Sequence, residues 1–122
     1  MGGFRIERLQ HVQLAIPVGG EDQSRSYWVD LLGFEEVAKP PLLAVRGGCW
    51  FRHPELEMHM GAEQDFIPAR KAHPALLVAN LDALADTLAG AGFSVRWSDE
   101  VPGTRRFHTD DTFGNRLEFI EA

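Results

Sequence analysis

Apolar and polar residues alternate along several short stretches of the chain, with one helix-like interruption in each half. Between Leu9 and Ile16, Gln10, Val12, Leu14 and Ile16 fall on one face of a strand, and Leu9, His11, Gln13 and Ala15 on the other. The Val/Leu/Ile row suits packing under a helix, whereas the His11/Gln13 row suits the lining of a concavity. Pro17 to Gly20 end the strand. Residues 21–32 read as a helix, with Ser24, Tyr27, Trp28, Leu31 and Leu32 along one stripe and Gly33 as its stop. Short strands are expected at 34–38, 49–53 and 55–61. Between them lie Pro40-Pro41, the ambiguous run Leu42–Val45, and a Gly47-Gly48 turn. In the last of these strands Leu56, Met58 and Met60 alternate with Glu57 and His59.

A link over 62–72 follows, too short and too apolar at Phe66-Ile67 to separate independent domains. The pattern then starts again. His73, Ala75 and Leu77 share one strand face, with Pro74, Leu76 and Val78 on the other, and Asn80 is placed to N-cap a helix carrying Leu81, Leu84, Ala85 and Leu88. Gly90 or Gly92 ends that helix. Strands are expected at 93–98 and 105–109, a turn at 110–115, and a last strand at 116–121, where Leu117 and Phe119 alternate with Glu118 and Ile120. Landmarks recur about sixty residues apart: His11 as His73, Gly33-Phe34 as Gly92-Phe93, and Leu56-Glu57-Met58 as Leu117-Glu118-Phe119. The expectation is an α+β fold of two modules, each strand, helix, strand, strand, strand, within one domain. Module one covers about 8–61 and module two about 73–122.

Composition narrows the partners. The 122 residues are enough for one buried core. A net charge of −6, from 12 Lys+Arg against 18 Asp+Glu, argues against a nucleic-acid or anionic-membrane binder, which needs a basic face. A small-molecule partner, including an anionic one held in a local basic pocket, fits. The single cysteine, Cys49, has no intrachain disulfide partner and reads as a buried apolar residue beside Trp50 and Phe51. With no signal-peptide pattern and no apolar run approaching the ~18 residues of a membrane span, a reducing cytoplasmic setting is expected.

The polar rows carry the candidate chemistry. The first and last strands of each half set His11, Glu57 (with His59 two residues on), His73 and Glu118 opposite their apolar stripes. Imidazoles and carboxylates without thiolates suit a divalent zinc, nickel, cobalt, manganese or iron ion. A single such residue on a strand is more often merely solvated; four at matching places carry more weight. Glu57 and His59 share a face, so either can be the fourth ligand: the repeat spacing favours Glu57, and one β-bulge would favour His59. Glu118 or Glu57 could leave the metal and move a proton. Arg105 and Arg106 offer guanidinium groups for a carboxylate or phosphate, although surface arginine is the blander reading. Trp50 and Phe51 serve either as pocket wall or as core, and Arg70 and Lys71 either close over an anion or are solvated.

At these residues the sequence resembles the vicinal oxygen chelate superfamily, which includes glyoxalase I, fosfomycin and bleomycin resistance proteins and extradiol dioxygenases. The resemblance rests on His11-Val12-Gln13-Leu14, Gly33-Phe34, Leu56-Glu57-Met58, His73-Pro74-Ala75-Leu76 and Asp111-Thr112-Phe113-Gly114-Asn115-Arg116-Leu117-Glu118, and covers nearly the whole chain. Thr112 stands where the family's turn usually carries proline. The resemblance implies paired βαβββ modules in a cup-shaped mixed sheet around a metal. The glyoxalase ligand pattern falls on His11, Glu57, His73 and Glu118; the pattern of fosfomycin-resistance enzymes and dioxygenases falls on His11, His73 and Glu118. It further implies a metal-dependent lyase or isomerase that chelates vicinal oxygens of a small substrate and stabilises an enediolate or oxyanion, and often a homodimer with sites at the shared boundary. The alternative is a metal-free, non-catalytic binder of a drug or metabolite, as in bleomycin-binding members. A fosfomycin-resistance-type transferase or a dioxygenase is a more distant alternative.

Overall fold

Eight strands form two mixed sheets of four in the computed structural model, which describes residues 2–122. In chain order the elements are β1 (His11–Pro17), α1 (Glu21–Arg25, continuing as a wider π turn over Ser26–Leu31), β2 (Glu35–Val37), α2 (Pro41–Ala44), β3 (Cys49–His53) and β4 (Leu56–Glu63), followed by β5 (Ala75–Val78), α3 (Leu81–Gly90), β6 (Arg96–Ser98), β7 (Arg106–Asp110) and β8 (Arg116–Glu121). The strand orders are β1-β4-β3-β2 and β5-β8-β7-β6. In each sheet the first strand runs parallel to the last, and the other pairs are antiparallel. This is the expected α+β architecture, with β1 and β5 left as edge strands.

Local chemistry sets the element ends. The run Leu42–Val45, ambiguous by pattern, lies largely in the short helix α2, whose first position is Pro41; its fixed φ and missing N–H suit that place. The recurring Gly-Phe pair is a helix stop in both halves. Gly33 and Gly92 take φ of +80° and +91°, and the next residue's N–H turns back to a helix carbonyl, Phe34 to Trp28 and Phe93 to Leu88. That cap occupies Phe93 and leaves only Arg96–Ser98 of the expected 93–98 strand in the ladder. Asn80 caps α3 as expected, its side chain accepting from the Ala83 N–H, while Glu121 accepts from the Asn80 and Leu81 N–H groups.

The alternation in the sequence becomes a division of labour between faces. Leu14 and Ile16 of β1, Cys49 and Phe51 of β3, Met58 and Met60 of β4, Phe107 of β7, and Leu117 and Phe119 of β8 are all buried in one apolar cluster with Tyr27, Trp28, Leu81 and Leu88. The cluster draws on both sheets, and Tyr27 meets Phe93 edge-on with ring centroids 5.0 Å apart. Cys49 is buried within it, and burial pushes its thiol up to about 11, outweighing the nearby Arg25 charge.

A polar clamp joins the halves. Asp111 accepts from the Phe113 and Asn115 N–H groups and from the Asn115 amide, which also donates to the Ala15 carbonyl at 2.8 Å while its oxygen accepts from the Ala69 N–H. The β7–β8 turn, the inter-sheet link and β1 thereby hang on one buried side chain. Burial holds the Asp111 carboxyl above its ordinary range despite these donors. Replacing Asn115 by alanine orphans the Ala15 carbonyl, the Ala69 N–H and one Asp111 oxygen together. The expected loss is about 3 kcal/mol, read as a lower urea midpoint; an unchanged midpoint would remove the clamp from this account.

Candidate metal centre

The face of each strand turned away from the core carries the polar residues. In the second sheet these are Arg106 and His108 of β7 and Glu118 of β8, joined by His73 just ahead of β5. β7 and β8 pair so that His108 lies directly across from Glu118. One Glu118 oxygen, Oε1, lies 2.9 Å from His73 Nε2 and 3.4 Å from His108 Nε2. The other, Oε2, accepts from Arg106 Nη1 at 2.9 Å. His73, His108 and Glu118 each offer a ligand atom, and the three atoms lie within 4.8 Å of one another.

The tautomer of His73 follows from its other nitrogen. Nδ1 is 2.7 Å from the Lys71 carbonyl oxygen, which only accepts, so Nδ1 carries a proton. Nε2 then points a lone pair at a carboxylate oxygen unless a positive charge lies between them. A second ring proton or a metal cation supplies that charge. A backbone carbonyl holding the remote N–H is also the arrangement that orients metal-binding histidines. Donor type, convergence and orientation all fit a divalent ion.

Electrostatics agree with an ionised Glu118. Burial raises its carboxyl, but the bonds from Arg106 and His73 and the neighbouring His108 outweigh it and leave the group below the usual carboxylate range. Burial, helped by Arg116, lowers His108 and favours the neutral ring, against the pull of Glu118.

The first sheet places a different set on the equivalent face. Trp50, His59 and His11 form a ladder of near-parallel rings, with centroid separations of 4.1 Å and 4.0 Å. His59 Nε2 meets Glu57 Oε1 at 3.0 Å, and that bond is the leading cause of a lowered Glu57 carboxyl. His11 Nδ1 is held by the Gln10 side-chain oxygen. Pairing register bears on the choice between Glu57 and His59. β1 sets Gln13 opposite His59, and β5 sets Ala75 opposite Glu118; with His11 laid on His73, His59 takes the place of Glu118. Trp50, opposite His59, takes that of His108.

The predicted residues therefore gather in two groups. His73, Glu118 and Arg106 form one; His11, Glu57, His59 and Trp50 form the other, and His11 is outside the 4.8 Å set of its own chain. Arg105 points elsewhere, forking onto Asp82 and stacking over Trp97. Phe51 is core. His108 was not singled out from the sequence, although a signal exists: counting back across the hairpin whose Asp110 pairs with Arg116 sets it opposite Glu118.

Glu118→Ala leaves the Arg106 guanidinium buried without its anion and is expected to cost about 3 kcal/mol in urea unfolding near neutral pH. Glu118→Gln keeps an acceptor and costs less. Because folding depresses this carboxyl, its contribution is complete above the unfolded value of about 4.3 and is lost as pH falls through the folded value. The gap between wild type and Glu118→Gln must therefore close in acid; a constant gap would contradict the ionised pair.

The family model described as the Glyoxalase/Bleomycin resistance protein/Dioxygenase superfamily matches residues 8–119. A protein assigned to the glyoxalase family from Bacillus anthracis is 42% identical, with a TM-score of 0.93 over 99% of this chain and 98% of that one. The fosfomycin resistance protein FosX from Listeria monocytogenes, an E126Q mutant complexed with Mn(II) and 1S,2S-dihydroxypropylphosphonic acid, is 14% identical with a TM-score of 0.80, covering 97% of this chain and 94% of that one. Lactoylglutathione lyase from Agrobacterium tumefaciens is 13% identical with a TM-score of 0.73, covering 97% and 96%. At those two identities the likeness is one of fold. No curated protein matches the chain in sequence. The family match over residues 8–119 and the 42% identity along almost the whole chain establish that it belongs to the glyoxalase/bleomycin resistance protein/dioxygenase superfamily.

Proposed function

We propose that the protein is a metal-dependent enzyme of the glyoxalase type, a lyase or isomerase acting on a small substrate with adjacent oxygens. The observation that carries this reading is His73 Nε2 aimed at Glu118 Oε1, 2.9 Å away, while Nδ1 is committed to a carbonyl. His73, His108 and Glu118 would hold a divalent zinc, nickel, cobalt, manganese or iron ion. Such an ion supplies Lewis acidity to vicinal oxygens and stabilises an enediolate or oxyanion. The residues do the rest. Glu118 is fixed on both oxygens and serves as ligand, whereas Glu57, with His59 on one oxygen and Arg52 3.8 Å from the other, is the freer carboxylate for moving a proton. The Arg106 charge favours an anionic substrate.

We assign His11 to the same centre through a second copy of the chain. Its Nδ1 is occupied by Gln10, it is exposed, and β1 is an edge strand with apolar Leu9 exposed just ahead of it. The other edge, β5, exposes Leu77. Unpaired edges flanked by apolar side chains favour association of two chains. A homodimer would bring the ring ladder and Glu57 of one copy over the His73 cluster of the other. Trp50 is then a pocket wall, and Glu57 and His59 stand near the ion. Arg105, forked onto Asp82, contacts substrate only if that pair opens. Among the described residues no helix is long and apolar enough to cross a membrane. With one buried thiol and an acidic surface, a cytoplasmic small-molecule enzyme that binds no nucleic acid is the setting proposed.

A second reading is favoured by the ring ladder alone: an aromatic wall of Trp50, His59 and His11 suits a non-catalytic binder of a planar drug or metabolite. Metal analysis of protein purified without chelator separates the two. About one ion per chain, lost in His73→Ala, His108→Ala and Glu118→Ala and weakened in His11→Ala, is expected, together with isomerisation of a hemithioacetal that a chelator abolishes. A protein that takes up no divalent metal yet binds a planar ligand would replace the enzyme reading with the binder. Metal uptake without turnover would withdraw the hemithioacetal as substrate.

A further inference from the structure

We infer that Arg106 is a positioning residue that restricts Glu118 to a single metal-facing oxygen and cancels its charge. The inference rests on the metal reading above and deepens it.

β7 presents Arg106 and His108 on one face, two residues apart, so the guanidinium and the imidazole flank Glu118 from the same strand. The two carboxylate oxygens have different company. Oε1 faces the His73 and His108 Nε2 atoms, and among the described residues Oε2 is paired only with Arg106 Nη1. The guanidinium is itself anchored. Its Nη2 donates to Ser98 Oγ at 3.2 Å, and that hydroxyl donates on to Glu100, so the fork is braced from β6. Only 15% of the Arg106 side chain is exposed, and its Nε is buried with no hydrogen-bond partner among the described residues. An arginine whose two terminal nitrogens are both committed has a fixed orientation and little freedom to reach for substrate.

Two consequences follow for an ion at this centre. With Oε2 held, Glu118 would serve it through Oε1 alone, because chelation by both oxygens means breaking a buried, charge-assisted bond. The guanidinium also offsets the carboxylate's charge. Two neutral imidazoles and a compensated carboxylate leave the ion's positive charge undiminished, which strengthens its pull on an anionic substrate or an oxygen gaining charge. A lysine at 106 reproduces the charge but not the two-armed hold on Glu118 and Ser98.

Cobalt(II) binding to wild type, Arg106→Met and Arg106→Lys tests this, with Arg96→Met as control, since Arg96 pairs with Asp110. Affinity is read by competition with a chelator, and coordination by the visible d–d bands. In Arg106→Met, the freed and uncompensated carboxylate should add its second oxygen, so affinity should rise by roughly tenfold and the bands should weaken. Arg106→Lys should lie between the two, and Arg96→Met should match wild type. Wild-type affinity and spectrum in Arg106→Met would overturn the inference; so would weaker binding with an unchanged spectrum, which reports a loosened fold rather than a freed oxygen. Should Arg106→Met fail to fold, Arg106→Lys decides by the same criteria. A wild-type protein that takes up no cobalt overturns the metal reading and this inference with it, whereas loss of the predicted difference while wild type binds one ion removes this inference alone.

Discussion

A strand has two faces, and here one face of nearly every strand is consumed by a single shared core. Ile16, Phe51, Met58, Phe107 and Leu117 are buried in one cluster under Tyr27, Trp28 and Leu88, and the rows between them have no choice but to face the other way. His11, Trp50, Glu57, His59, Arg106, His108 and Glu118 all occupy those intervening positions. A register slip of one residue would exchange the rows and drive charged groups into the core, so the packing that stabilises the fold also specifies the candidate site. The Asp111–Asn115 clamp does the same for the turn that feeds β8.

The two sheets use equivalent rows for different ends. Around Glu118 the groups are titratable and convergent, with His73 held through Nδ1 and both Glu118 oxygens engaged. Around His59 the groups are flat, and both faces of its ring are covered by Trp50 and His11. A ring stacked on both sides acts only through its edge, where Nε2 already meets Glu57. The second sheet thus holds three converging groups that could bind a metal ion, and the first holds a stacked aromatic surface.

Much of this was legible in the sequence. Alternation placed most strands, the repeat predicted the same element order in both halves, and Gly33, with Gly90 or Gly92, marked the helix stops. His73 and Glu118 stood out because the repeat sets them at places matching His11 and Glu57, opposite the apolar rows of their strands. What stayed hidden depends on pairing rather than on single strands. His108 sits in a stretch with two arginines and a threonine, and nothing local separates it from a solvated histidine; only its register against Glu118 does. The choice between Glu57 and His59 is of the same kind, since repeat spacing counts residues along the chain whereas the parallel β1–β4 ladder decides which residue faces which. The helix expected over 21–32 forms over 21–31, but its second half is a π turn in which Tyr27 and Trp28 are both buried, a widening that helical periodicity does not express.

Placing Arg106 beside Glu118 also settles a conflict that any buried carboxylate faces. A glutamate sunk among core strands is driven toward its neutral form by desolvation, and a neutral carboxyl is a poor metal ligand. More solvent would keep it charged, but water would compete for the ion's open positions and weaken the field felt by a substrate. A guanidinium braced by Ser98 keeps the carboxylate ionised although it is largely buried. The cluster of His73, His108 and this ionised Glu118 is one that could hold a positive ion.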